Sequence, residues 1–252
     1  CALVAQRGGV MHRRTFLAAG GGAIIAAACE TPPVTLATPA GAVMPSKSCK
    51  PTLRTTEGPY VLPTSPLRSD VREGKLGVPL MLRLQVVDLY TCQPLRGVKV
   101  EIWQSDASGV YSGVVNMEFD IRTLKPSTVG APDTRGAEFL RGHQVSGGDG
   151  HVVFNTIFPG WYSARLPHIH VRAFNETPRG VMTHSTQLFM PAAIQNRVYE
   201  LEPSKTRGPN TIGLDPDLVL RGDDHLLREL TMPMKWNANT LEADMKLAAF
   251  RA

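Results

Sequence analysis

The chain has 252 residues, 42% of them hydrophobic, enough to bury one sizeable core in a single globular domain of about 200 residues. Its net charge of +5 falls to near +3 once residues 1–42 are set aside, because Arg7, Arg13, Arg14 and Glu30 contribute +2. No long basic run remains, which excludes a nucleic-acid partner, and 23 Gly with 20 Pro suit a loop-rich, mostly β chain.

Residue 1 is Cys, and Met11 reads as a start. From it, His12-Arg13-Arg14-Thr15-Phe16-Leu17 leads into an apolar Gly/Ala-rich run through Ala28, similar to a bacterial twin-arginine export signal. The run is about 15 residues against the roughly 20 that span a bilayer, so a membrane helix is not expected. Two processing points compete. Ala26-Ala27-Ala28-Cys29 is a loose lipoprotein box, without the usual Leu, and would leave a lipid anchor at Cys29; Ala40-Gly41-Ala42 would release a soluble form. Residues 30–47, rich in Thr, Pro and Ala, read as a tether. The expected division is 1–42 for signal and tether and 43–252 for the β domain, exported to the periplasm or held at the envelope. With Cys1 and Cys29 in the leader, Cys49 and Cys92 remain, and an oxidising compartment favours their bridging.

Thr56-Glu57-Gly58-Pro59-Tyr60 reads as an ordered loop leading into the domain. Leu82, Leu84 and Val86 alternate with Arg83 and Gln85, predicting a half-buried strand over 80–87, and 98–103 repeats the pattern. A Gly-punctuated loop, 104–113, carries Tyr111. Residues 114–138 have no period and read as an insertion. Strands over 139–145 and 151–154, split by Ser146-Gly147-Gly148-Asp149-Gly150, read as a hairpin. Pro159-Gly160 predicts a turn, followed by Trp161, Tyr162, Arg165 and then His168-Ile169-His170 at the head of an apolar run. On a strand both imidazoles share a face, and Ile169, Val171 and Ala173 take the other. A short strand over 186–190 precedes a helix opened by Pro191, with Ile194, Val198 and Leu201 on one face. Leu241, Ala243, Met245 and Leu247 alternate with Glu242, Asp244 and Lys246; the residues also suit a helix, but the strict alternation favours a strand. The fold class expected is all-β, a β-sandwich of mostly antiparallel strands with long loops and one or two short helices.

Tyr111, Tyr162, His168 and His170 make a chemically coherent set. Two hard anionic phenolates beside two neutral imidazoles suit a trivalent metal such as iron(III) better than zinc or copper.

The motifs T-E-G-P-Y (56–60), G-V-K-V-E-I-W-Q-S-D-A-S-G-V-Y-S-G (97–113), F-L-R-G-H-Q (139–144), T-I-F-P-G-W-Y (156–162), R-L-P-H-I-H (165–170) and T-Q-L-F (186–189) together resemble the intradiol ring-cleavage dioxygenases, a family that includes protocatechuate 3,4-dioxygenase and catechol 1,2-dioxygenase. The likeness covers most of 49–252 and is closest to exported, single-domain members. It implies a non-haem Fe(III) held by Tyr111, Tyr162, His168 and His170, with no organic cofactor. Tyr162 would be the ligand that leaves and takes a substrate proton, while Arg165 and Gln187 would contact substrate. The implied partners are a small aromatic diol and O2, and the sequence leaves a homo-oligomer open. Tyr111 and Tyr162 stand 51 positions apart, a spacing longer than expected of compact catechol enzymes. No carboxylate-binding group follows Tyr162, so protocatechuate is not favoured. Two other readings remain: a transthyretin-like envelope binding module, and a zinc hydrolase, which needs a carboxylate base.

Overall fold

The computed structural model describes residues 49–250 apart from 121, 122, 124 and 179. The twin-arginine-type leader, both processing points, Cys29 and the 30–47 tether lie outside the described residues.

Among the described residues, ten strands and three short helices follow one another as β1 (Pro79–Asp88), β2 (Lys99–Trp103), β3 (Glu118–Phe119), β4 (Pro126–Ser127), β5 (Arg141–Val145), β6 (His151–Ile157), β7 (His168–Thr177), β8 (Gly180–Phe189), α1 (Ala192–Val198), α2 (Ser204–Arg207), α3 (Asp224–Leu230), β9 (Met234–Asn237) and β10 (Thr240–Phe250). One sheet runs β6-β1-β10-β9 and the other β5-β2-β7-β8. Period-2 alternation in β1 turns Leu80, Leu82, Leu84 and Val86 inward, and β10 matches it with Leu241, Ala243 and Leu247. These meet Val100, Ile102, Ile169, Val171, Ala173 and Leu188 from the second sheet in one buried cluster. Each Leu, Ile or Val among them contributes about 1.5–3 kcal/mol. β1 and β10 pair in parallel, Leu82 opposite Ala243, and the other strand pairs are antiparallel. The strict alternation of 241–247 thus wins over its helix propensity, because β10 must bury one face against the facing sheet.

One expectation needs correcting. Residues 139–145 and 151–154 do not form a hairpin, because β5 pairs with β2 in one sheet and β6 with β1 in the other. The connection crosses the sandwich. Gly150 makes the crossing tight, since at φ 75° a Cβ there would stand 2.5 Å from the Val86 carbonyl oxygen. The insertion 114–138 holds the small β3–β4 ladder. α1 follows Pro191 as expected but ends at Val198, so Leu201 lies beyond it and is exposed, and α3 is capped by Asp223, whose carboxylate accepts from the Leu226 amide at 2.8 Å.

Cys49 and Cys92 are bridged with Cα atoms 5.3 Å apart, closing a loop of 43 residues. Such a bridge stabilises by about 2–4 kcal/mol, chiefly by restricting the unfolded chain. It anchors the segment that leads to the 56–60 loop.

His184 on β8 sits against Phe250 and is buried. Burial, reinforced by the Arg54 guanidinium, holds its imidazole down at about 4. The unfolded chain takes up the proton nearer pH 6.5, so this contribution to stability is complete above 6.5 and is lost as pH falls towards 4. Urea unfolding at pH 7.5 and 4.5 should show the loss, and His184→Gln should shrink it by about 2 kcal/mol.

Candidate metal centre

Two loops and one strand build the site. The loop after β2 folds on itself: the Asp106 carboxylate accepts from the amides of Ser108 and Val110 at 2.9 and 3.1 Å. It docks on the turn after β6, where Ser105 Oγ donates to the Gly160 carbonyl at 2.8 Å and the Gly160 amide donates to the Asp106 carbonyl at 2.9 Å. The approach is backbone to backbone. A Cβ on Gly109 would stand 2.4 Å from the Trp161 carbonyl oxygen, and one on Gly160 would stand 2.6 Å from that of Ala107. These glycines let Tyr111 and Tyr162, carried on the two loops, come within 5.5 Å of each other, centroid to centroid and edge to face.

The insertion holds Tyr111 in place. Its amide donates to Asn116 Oδ1 at 2.8 Å, while Asn116 Nδ2 and Thr134 Oγ1 donate to its carbonyl at 3.0 and 2.6 Å. Tyr162 is set by a tight turn in which the Arg165 amide donates to its carbonyl at 2.9 Å and Ala164 takes φ 59°. Beyond the turn, β7 presents His168 and His170. Trp103 of β2 lies flat on His170, with centroids 4.7 Å apart.

The four side chains meet in the interior. Tyr111 Oη lies 3.3 Å from His168 Nε2, which lies 3.0 Å from His170 Nε2. His168 Nδ1 donates to the Leu166 carbonyl at 2.6 Å, so its Nε2 carries a lone pair aimed into the cluster. Arg165 Nη1 stands 3.4 Å from Tyr162 Oη, and Nη2 donates to Gln187 Oε1. Gln187 faces His170 across the β7–β8 ladder and is fixed by Nε2 donating to the Thr56 carbonyl at 2.8 Å. All six residues are at least 95% buried.

Burial sets the electrostatics. It pushes the Tyr111 phenol well above its ordinary value, the neighbouring Tyr162 adding to the rise, and it raises Tyr162 against the opposing pull of Arg165. Burial, then the Arg165 charge, holds both imidazoles well below their ordinary value. Burial opposes the charge on Arg165 too, but the Tyr162 and Asp217 oxygens outweigh it. The result is two neutral imidazoles with lone pairs and two buried phenols that ionise only beside a strong positive charge. A trivalent cation fits that donor set, since it supplies the charge and hard oxygens suit it. Among the described residues no group of three or more His, Cys, Asp or Glu gathers to hold a metal.

Every residue singled out for the site in the sequence (Tyr111, Tyr162, His168, His170, Arg165 and Gln187) is found in this cluster. Three neighbours were not singled out in the sequence. Tyr60 packs tilted against Tyr111, ring centroids 4.6 Å apart, and accepts from the Met117 amide at 2.9 Å, Trp103 covers His170, and Asp217 binds Arg165. Tyr60 and Trp103 lie in the 56–60 and 97–113 motifs, which carry the resemblance without marking either residue for the site, and Asp217 arrives from a distant segment with no spacing to mark it.

The family model described as "Dioxygenase" matches residues 57–177. The solved structure of an intradiol ring-cleavage dioxygenase from Tetranychus urticae is similar over 81% of this chain and 98% of its own, with 28% identity and a TM-score of 0.66. The dioxygenase domain of a dioxygenase carbohydrate-binding protein fusion from Streptomyces sp. SirexAA-E aligns over 81% of this chain and 100% of its own, at 27% identity and TM-score 0.53. Catechol 1,2-dioxygenase from Pseudomonas arvilla C-1 shares the fold, at 18% identity and TM-score 0.50 over 78% of this chain and 61% of its own. No curated protein matches the chain.

Proposed function

We propose that this chain, a member of the intradiol ring-cleavage dioxygenase family, is a non-haem Fe(III) dioxygenase that opens a catechol-type ring between the two hydroxyl-bearing carbons, giving a cis,cis-muconate-type product with O2 as co-substrate. The observation that carries the reading is the meeting of Tyr111 Oη, His168 Nε2 and His170 Nε2 in the interior beside Tyr162, with Arg165 and Gln187 at its rim. Those two phenolates and two imidazoles would hold the iron. Such an ion would supply Lewis-acid character, drawing electron density from a bound catecholate so that a ring carbon becomes open to O2.

The chain's own side chains do the rest. Tyr162 Oη takes up a catechol hydroxyl proton, and Arg165 Nη1 beside it favours the oxygen that becomes negative. Gln187 holds the far edge of the guanidinium, so the fork stays aimed. Burial keeps water out and strengthens each of these contacts. Next to Tyr162, Ser163 Oγ donates to the Glu118 carboxylate. An acid at that position disfavours carboxylated catechols and supports a neutral one. Export fits the same reading, since both the leader and the Cys49–Cys92 bridge suit an oxidising compartment. A non-catalytic transthyretin-like module leaves the burial of two phenols and two imidazoles against an arginine without a reason.

The test is oxygen uptake by the purified, iron-supplied chain with catechol. The reading expects one O2 consumed per catechol and both oxygen atoms in the ring-opened acid. Oxidation to a quinone, or no uptake, would refute it.

A further inference from the structure

Asp217 lies between α2 and α3, is fully buried, and has a donor on every side. Oδ2 accepts from the Leu166 amide at 2.7 Å and from Arg165 Nε at 3.2 Å. Oδ1 accepts from the amides of Val219 and Leu220 at 2.9 and 3.0 Å. The Leu218 amide donates to the Ala164 carbonyl at 3.1 Å, so residues 217–220 clasp 164–166 from outside. Two of the four bonds to this carboxylate thus go to the turn that carries the site.

We infer that Asp217 is the positioning residue for Arg165: by holding Nε, it turns the Nη edge of the guanidinium onto Tyr162 Oη and Gln187 and so onto the substrate. Held at one edge by Asp217 and at another by Gln187, the planar fork keeps a single orientation and has Nη1 left for Tyr162. A carboxylate that served only as a strut would have no need of the arginine, since three backbone amides already satisfy it. The inference rests on the dioxygenase reading above.

Asp217→Asn tests it. The amide keeps the shape, but its NH2 must face one pair of donors, and in either orientation Arg165 loses the negative charge that anchors it. Because Leu166 also bonds His168, turnover is expressed per bound iron. The expected result is a kcat lowered by about 30-fold or more, with the affinity for catechol, measured anaerobically by calorimetry, changed by less than about threefold. In an Arg165→Gln background the same substitution should change kcat by less than about threefold, because the residue it acts through is gone. An equal loss in both backgrounds, or an unchanged kcat, overturns the inference. If Asp217→Asn does not fold, Asp217→Glu decides: a native circular-dichroism spectrum with kcat at least about fivefold lower supports positioning, and a smaller effect overturns it. Failure of both variants to fold marks a strut and overturns it as well. A native chain without ring cleavage defeats the dioxygenase reading and this inference with it. A native chain that cleaves catechol while its Asp217 variants match it defeats the inference alone.

Discussion

Arg165→Ala should lower catechol turnover by about 100-fold or more, the scale for removing one charged contact that strengthens as charge develops. The guanidinium is buried and spans three partners, Asp217 Oδ2, Tyr162 Oη and Gln187 Oε1. A surface arginine at the head of a strand would be solvated, and its loss would change little. Here the loss also leaves the Asp217 carboxylate without its counter-charge. The fold should nonetheless persist, because the amides of Leu166, Val219 and Leu220 still donate to that carboxylate. Breaking a buried pair costs about 3–5 kcal/mol where nothing else satisfies the remaining charge, so a smaller loss is expected here. Lysine should rescue poorly, since one ammonium cannot bond all three partners in the plane the fork provides. Stopped-flow turnover beside anaerobic catechol titration checks this. A variant that cleaves at the native rate would make Arg165 scaffold.

Gly160→Ala should disable the site without touching any candidate ligand. Its Cβ would meet the Ala107 carbonyl oxygen and the Gly109 amide nitrogen, both at 2.6 Å and both backbone. Neither can swing aside as a side-chain tip would. The two loops must part, straining the Ser105–Gly160 and Gly160–Asp106 bonds and moving Tyr162 relative to Tyr111. Overpacking of this kind costs about 1–3 kcal/mol, and a misplacement near 1 Å costs about 100-fold in rate. Gly148→Ala is the control: a Cβ there has nothing within 4 Å, and the substitution should leave stability within about 1 kcal/mol of native. Urea unfolding and iron content of the two variants make the comparison. Equal iron content and equal rates would show that the loop contact does not set the site.

Much of this was legible before any fold was known. Alternation in 80–87 and 241–247 reports a half-buried face directly, and H-x-H on a strand places two imidazoles together by period alone. What stayed hidden depends on contacts remote in sequence. The strand signal at 139–145 and 151–154 says nothing about which sheet each joins, and a Gly-rich link serves a hairpin or a crossing equally. The parallel pairing of β1 with β10 joins the first and last strands, which no local pattern marks. Residues 114–138 lack a period because their work is done by Asn116 and Thr134, single polar side chains that clamp the Tyr111 backbone. Asp217 stayed hidden for the same reason: its role is a set of four hydrogen bonds made across more than 50 residues to Arg165 and within its own turn.

The most direct test of the central claim is the visible absorption spectrum of the purified chain, taken with its iron content. Phenolate oxygens on iron(III) give a charge-transfer band that colours a protein red-brown, and neither imidazole nor carboxylate ligands supply one. The account predicts about one iron per chain, the ion being held by a single four-residue donor set, with such a band that shifts when catechol is added without oxygen. A chain that binds iron stoichiometrically and stays colourless would contradict it, because Tyr111 and Tyr162 would then not be ligands.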